Sequence, residues 1–499
     1  MPELAARPPR LRPDICARAL DARDARFDGI FVVAITTTRI YCRPVCPARV
    51  TYPERRRFFA SAAAAERAGY RPCLRCRPEL APGRALCDAI PRLADAAAHR
   101  IGAGALNGRS VAHLARELGV SERHLRRALE REIGVSPLEL AQTHRLLLAK
   151  RLLADTTLPV TRVAYASGFQ SLRRFNAVFR ERYRMSPSAV RRRTSAPDIV
   201  TRAPTPDFVR LTLAYRPPLA WDLLIAQLAR ESIPDVELVD GRRYGRTMHM
   251  AGRTGVIFAE DAAPAHRTNG AKCFVNVDVS PSLVPALMPL LARLRQLFDL
   301  DAEPTTIDAH LEQGGLGPLV RRRRGVRILG AADGFEAALR TLLAGDGAAR
   351  ERLRRVALAI GERIDSGVPE LGVLVPSDAR VAEAGASRLA ELGIPRRRVD
   401  AVVAIARAVS DGTLRLEPGV NAATTMRALM ELAPLTERVA SEIVMRALYW
   451  PDAFPASDRA LQDAAGIRGT RQLRAHAEQW RPWRAYAGLH LRLEAAARA

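Results

Sequence analysis

Four of the seven cysteines fall in two close pairs, Cys42-x-x-x-Cys46 and Cys73-x-x-Cys76, and no other feature limits the N-terminal part of the chain so tightly. In a long chain with few other cysteines, such pairs argue for metal ligation rather than a disulfide framework. A four-thiolate zinc site needs two tight turns offering two sulfurs each, and a longer connection that closes the tetrahedron at ~2.3 Å per Zn–S bond. Cys42, Cys46, Cys73 and Cys76 meet that requirement, with Pro44, Pro47 and Pro72 stiffening the turns. A short β-rich run at 29–35 leads into the first pair. Cys16, Cys87 and Cys273 stand apart.

Charge narrows the partners. The 499 residues carry 78 Lys plus Arg against 53 Asp plus Glu, a net +25, and residues 1–200 hold +19 of it. An excess of this size points first to a polyanion, and nucleic acid is the usual one. Almost every basic residue is Arg, with Lys only at Lys150 and Lys272, a bias that coding composition explains without accounting for the excess over acids. With 48% apolar and 26% charged residues the chain buries real cores, which excludes a disordered polycation and a collagen-like fibre. No stretch approaches the ~18–20 apolar residues of a membrane span, and the N-terminus lacks a signal-peptide core. The expectation is a cytoplasmic protein of several domains with no membrane partner.

From residue 86 to about 193 the apolar spacing is helical and contains a repeat: Gly119-Val120-Ser121-Glu122 precedes Gly168-Phe169-Gln170-Ser171 by about 50 residues, and Val135-Ser136-Pro137 precedes Met185-Ser186-Pro187 at the same offset. Each copy reads as helix, sharp glycine turn, and a second helix capped by serine. Leu125 and Leu129 in one copy, and Leu172, Phe175 and Phe179 in the other, are expected inside. That leaves Arg123, Arg126 and Arg127, then Arg173, Arg174 and Asn176, on outer faces suited to phosphates and base edges of double-stranded DNA. A helix over 137–154 would hold the two units apart, and recognition helices ~34 Å from each other enter successive major grooves. Residues 201–206 read as a linker, and a mixed α and β region follows: strand-like 208–215, helix-like 221–231, strand-like 244–258 and 273–279, then helix-like 283–298. From residue 326 onward the pattern is again helical.

Phe31-Val32-Val33-Ala34, Ile40-Tyr41-Cys42-Arg43-Pro44-Val45-Cys46 and Gly69-Tyr70-Arg71-Pro72-Cys73-Leu74-Arg75-Cys76 closely resemble the N-terminal zinc domain of Ada, the regulator of the adaptive response to alkylation. The resemblance implies that Cys42 takes a methyl group irreversibly from a methylated DNA phosphate. The helical repeat resembles the AraC-type DNA-binding domain, especially Gly168-Phe169-Gln170-Ser171, Phe175, Phe179-Arg180 and Ser186-Pro187. For a transcription activator of this kind, RNA polymerase is a second expected partner. The Pro-Cys-His-Arg motif of Ada's other methyltransferase domain does not occur in the sequence.

Pro451-Asp452-Ala453-Phe454-Pro455-Ala456-Ser457-Asp458 and Trp480-Arg481-Pro482-Trp483-Arg484-Ala485-Tyr486-Ala487 are similar to the AlkA-type 3-methyladenine DNA glycosylases. There the aspartate at the Asp458 position stabilises the sugar cation left as an alkylated base departs. By its position ahead of Arg459-Ala460-Leu461, Asp458 reads equally as a helix cap. The sequence departs from that family in three places. Leu432-Ala433-Pro434-Leu435-Thr436-Glu437 stands where a glycine hairpin grips phosphate, Arg438, Glu442 and Arg492 stand where aromatic residues line the base pocket, and Leu342-Leu343-Ala344-Gly345-Asp346-Gly347 lacks a Gly-Gln pair. Trp450, Trp480 and Trp483 would serve as substitute surfaces or as core. Taken together, the expected architecture is multidomain and mainly α with α+β parts: a small four-cysteine zinc domain at 1–82, a paired helix-turn-helix domain at 85–193, an α+β domain at 204–320, and an all-helical helix-hairpin-helix glycosylase-like domain at 321–499. Two readings stay open: a methylation-sensing regulator fused to a working glycosylase, or a regulator whose C-terminal half is an inactive DNA-binding or structural module.

Overall fold

The computed structural model describes residues 12–48, 52–83, 93–194, 208–262, 273–345 and 347–498. The expected linker at 201–206, the N-terminal segment, Cys87, Lys272 and Asp346 lie outside the described residues. The chain divides into two compact units: residues up to 216 with 273–292 form the first, and 217–262 with 293–498 the second. No helix among the described residues is long and apolar enough to cross a membrane.

The first unit opens with a four-stranded sheet of β1 (Val32–Ile35), β2 (Ile40–Cys42), β3 (Arg56–Phe59) and β4 (Arg71–Pro72), in the order β3-β1-β2-β4. β1 runs antiparallel to both neighbours, but β2 and β4 are parallel, with Ile40 opposite Arg71 and Tyr41 opposite Pro72. Continuing that register by one residue brings Cys42 to Cys73, and the Cys73 N–H donates to the Tyr41 carbonyl at 2.9 Å. The two cysteine pairs, about thirty residues apart in sequence, therefore meet at one end of the sheet.

The helical repeat forms as expected. Val111–Glu117 and Glu122–Glu132 make one helix-turn-helix, Val160–Ala166 and Leu172–Tyr183 the other. Ser110, Ser121 and Ser171 cap their helices through side-chain oxygens, and Gly119 and Gly168 take φ of 70° and 85°, where a side chain would be strained. Leu125, Leu129, Phe175 and Phe179 are fully buried, whereas Leu172, expected inside, is half-buried because it opens its helix beside the exposed cap. The intervening helix Pro137–Asp155 starts from a Ser136/Glu139 capping box and is buried on most of its surface.

That long helix also carries the cysteine-bearing sheet. Glu66, on the helix Ala62–Arg67, accepts from Thr143 Oγ1 at 2.8 Å and from the Tyr41 hydroxyl at 3.0 Å, with Arg182 of the second recognition helix 3.8 Å away. Glu79 pairs with Lys150 and, at 3.1 Å, with Arg77, which also reaches Asp155 at 2.6 Å. The two carboxylates titrate in opposite directions. Burial raises both, but for Glu79 the adjoining Lys150 and Arg77 outweigh it and the carboxyl sits below its ordinary value. For Glu66 burial dominates over the more distant Arg182 and pushes the carboxyl up to about 7.

In the second unit the helix Trp221–Glu231 forms at the expected bounds. The single strand expected over 244–258 is instead a hairpin of two, Arg243–Met250 and Arg253–Asp261, closed by Ala251 and Gly252, both at positive φ. Two consecutive left-handed residues match the right-handed twist of the flanking strands, and with Ala251 rather than Gly, Asn or Asp at its first position the turn carries only half of the usual sequence signature. A buried cluster ties this hairpin to the helix Gly334–Leu343: Arg246 donates to Glu336 at 2.8 Å, and Arg340 to Glu336 and Glu237 at 2.7 Å each. The remaining helices enclose two apolar cores, one around Val356, Val402, Ile405 and Val444, the other around Leu311, Leu461, Trp480 and Leu491.

Glu66 gives this fold a pH signature. Its carboxyl binds a proton more tightly in the folded than in the unfolded chain, so its penalty is absent below the ordinary value of 4.5 and complete above about 7. Across that window Glu66 removes ~3 kcal/mol of stability as pH rises. Urea unfolding at pH 4.5 to 7.5 should show the fall, and Glu66→Gln should flatten it.

Candidate functional site

The four sulfurs of Cys42, Cys46, Cys73 and Cys76 all lie within 4.8 Å of one another, each on a buried residue. A tetrahedron with ~2.3 Å Zn–S bonds has edges of about 3.8 Å, so the group closes on zinc with little movement. Backbone donors already face the sulfurs: Arg43 N–H points at Cys76 Sγ (3.4 Å) and Arg75 N–H at Cys73 Sγ (3.3 Å). These bonds favour thiolate over thiol. Arg43 is held by Asp28 through its Nε at 2.9 Å and reaches the Cys76 carbonyl at 3.3 Å, which fixes the chain between the pairs. The donor set and geometry fit zinc, and zinc is the metal of this centre. Exposure does not single out Cys42, which is 5% exposed against 8% for Cys73 and Cys76. Cys16 lies outside the group, and burial pushes its thiol up to about 11.

Sequence reasoning missed one group beside the centre. Lys150 is fully buried, and its Nζ donates to the carbonyl of Cys73 at 3.2 Å as well as to Glu79. The metal-binding loop is thus fastened to the long helix that carries both helix-turn-helix units. Lysine among arginines is the available signal, since a compact ammonium fits a closed site that a planar guanidinium does not.

Arg123, Arg126, Arg127, Arg173 and Arg174 all lie exposed on the second helices of their units, and Asn176 is half-buried. Arg126 is engaged by Glu122 at 3.1 Å, four residues earlier. The serine caps set the helix starts so that Leu125 and Leu129, or Phe175 and Phe179, face inward and the arginines outward. The face is cationic and unobstructed by its own core, as a major-groove reader requires.

In the second unit, Ala422–Leu432 and Glu437–Leu448 form a helix-hairpin-helix across 433–436. Thr436 caps the second helix, and Glu437, whose negative charge would repel phosphate, is paired with Arg474 at 2.6 Å. Asp458 caps the helix Arg459–Ala465, its Oδ1 accepting from Ala460 N–H at 3.0 Å. Its Oδ2 lies 3.4 Å from Arg492 Nη2, which also donates to Glu442 at 2.9 Å. A small cavity of about 40 Å³ opens beside these groups, lined among others by Gln227, Glu442, Met445, Leu461, Gly488 and Arg492. Arg438 is exposed. Trp480 is core, its indole N–H on the Gly314 carbonyl at 2.8 Å, and Trp450 and Trp483 pack at the edges of the two cores.

These sites define a class: a thiolate zinc centre built into a paired helix-turn-helix unit, on one chain with a helix-hairpin-helix unit whose cavity borders a carboxylate. Residues 15–79 match the metal-binding domain of Ada, 114–193 a helix-turn-helix domain and 210–333 the AlkA N-terminal domain. The probable bifunctional transcriptional activator/DNA repair enzyme AlkA of Mycobacterium tuberculosis is 35% identical over 484 residues, 95% of each chain. DNA-3-methyladenine glycosylase 2 of Escherichia coli is 29% identical over 56% of this chain and 95% of its own. The bifunctional transcriptional activator/DNA repair enzyme Ada of the same organism is 53% identical over 60 residues, 12% of this chain and 17% of its own. The chain belongs to the family of AlkA-type bifunctional transcriptional activator/DNA repair enzymes.

Lys150 supplies a test of how the centre is held. Lys150→Met leaves Glu79 buried beside a lost partner and should cost ~3–5 kcal/mol in urea unfolding of the first unit. Adding Glu79→Leu should recover most of that, because the orphaned charge goes with it.

Proposed function

We propose that the protein senses methylated DNA phosphates, activates transcription in response, and excises alkylated bases. The observation that carries this reading is the zinc-ready thiolate cluster fastened through Lys150 to the helix between two DNA-reading units. On this reading the domains are those expected from sequence: 1–82, 85–193, 204–320 and 321–499.

Zinc keeps all four sulfurs deprotonated at neutral pH. The Cys42 sulfur attacks the methyl carbon of a phosphotriester, so that an S–C bond forms, the C–O bond breaks, and its electrons return to the phosphate oxygen. The thioether is stable, and the centre loses one of its two formal negative charges. Repulsion of the DNA backbone falls accordingly, and the outward arginines of the helix-turn-helix units bind more tightly. An activator so recruited presents itself to RNA polymerase.

In the second unit an alkylated base, flipped from the stack, enters the cavity next to Asp458. The carboxylate stabilises the sugar cation as the glycosidic bond breaks and directs water to it. A second reading, a regulator with an inactive C-terminal half, is favoured by the pairing of Asp458 with Arg492 and by a hairpin in which Pro434 has no N–H for phosphate.

Exposure to methyl phosphotriester DNA should place one methyl group on Cys42, read by peptide mass spectrometry. A methyl on another cysteine defeats the assignment. Free 3-methyladenine should be released from methylated duplex by the intact chain, and Asp458→Asn should lower the rate by ~10²-fold or more. No release from the zinc-loaded, folded wild type selects the regulator-only reading.

A further inference from the structure

Both oxygens of Asp458 are already engaged. Oδ1 accepts the Ala460 N–H that starts a helix, and Oδ2 faces Arg492. A carboxylate asked to stabilise a neighbouring cation is least useful when a guanidinium cancels its field. Yet the same Nη2 atom lies closer to Glu442, 2.9 Å against 3.4 Å. One donor is shared between two acceptors, and the tighter contact is with Glu442, which lines the cavity, rather than with the carboxylate assigned to the sugar cation.

The side chains around this contact border the small cavity, and a base can enter only by displacing them. Arg492 is about one-third exposed, and Glu442 and Arg492 both line the cavity, so an incoming base meets this pair directly. Arg492 is anchored on the helix Arg484–Arg498 and Glu442 on Glu437–Leu448, two frames that need not move for the guanidinium to swing between carboxylates.

We propose that Arg492 is a positioning residue that holds Asp458 neutralised in the resting site, and that Glu442 draws it away when an entering base displaces the guanidinium. Asp458 is then uncompensated only while a sugar cation is about to form beside it. The idea rests on the reading of Asp458 as the glycosylase carboxylate, and the two fail separately in the test below.

The latch assigns opposite signs to two substitutions in the same ion-pair group. Glu442→Gln takes away the competing negative charge, leaves Arg492 on Asp458, and should lower the single-turnover rate of base release about tenfold with little change in the half-saturating DNA concentration. Arg492→Met keeps the bulk, removes the cancelling charge, and should raise that rate about tenfold. Arg492→Gln serves if the methionine variant does not fold, and Arg492→Lys should restore wild-type behaviour in part. The probe is duplex DNA methylated with dimethyl sulfate, with released 3-methyladenine separated by chromatography and thermal unfolding followed for every variant.

A merely structural ion pair predicts losses in both variants, parallel to their melting temperatures, and that result overturns the latch. If Asp458→Asn releases base as fast as an active wild type, the function assigned to Asp458 falls whatever Arg492 does. If the wild type is silent, the latch falls, because a base has not drawn Arg492 away; release by Arg492→Met would then still support Asp458 as the glycosylase carboxylate, and silence there removes both.

Discussion

The buried contact of Lys150 with Glu79 and the Cys73 carbonyl is the point on which the first unit depends. An ammonium and a carboxylate removed from water cost several kcal/mol each, and their attraction offsets this only when the remaining hydrogen bonds are met. Here they are met by a metal-ligand carbonyl on one side and by Arg77 on the other. A loop of cysteines and the helix between the two DNA-reading units are thereby made one body, so the charge state of the thiolates is felt at a fixed place relative to the recognition helices. A flexible tether between the same two modules would let the charge wander and weaken its effect on phosphate contacts.

Much of this was legible because it is local. Cysteine spacing, serine caps at Ser110, Ser121 and Ser171, and the glycine turns all act within four residues, and each formed where the sequence put it. What stayed hidden was non-local. The parallel pairing of β2 with β4 joins segments thirty residues apart through a two-residue strand, too short to carry any hydrophobic pattern. Lys150 looks in the sequence like one more positive charge, and nothing in its neighbours along the chain announces that Glu79 will meet it. In the second unit the replacements Glu442 and Arg492 are visible as departures from an aromatic pocket, but not their pairing with each other and with Asp458. Residue identity was readable there; mutual geometry was not.

The two units handle charge differently. In the first, arginines stand outward in numbers and the net charge is concentrated there. In the second, arginines turn inward: Arg246 and Arg340 satisfy Glu336 and Glu237, Arg474 covers Glu437, and Arg481 and Arg484 hold the fully buried Asp452 at 2.9 and 2.7 Å. A formal count treats these alike, but an arginine locked onto a buried carboxylate has little left for a phosphate. These pairings cancel charge in equal amounts, so the small positive excess of the second unit is all that remains to attract DNA.

The scarcity of lysine bears on what base excision leaves behind. Some glycosidic cleavages proceed through a side-chain amine that forms a Schiff base with the sugar and then breaks the strand, and lysine is the residue suited to it. Among the described residues the second unit contains no lysine, and Lys150, the sole described one, is sealed inside the first. On the proposed reading a carboxylate, Asp458, rather than an amine serves the sugar cation, and water completes the reaction. The product on this reading is an abasic site in an unbroken strand, a lesion passed intact to whichever enzyme cuts next.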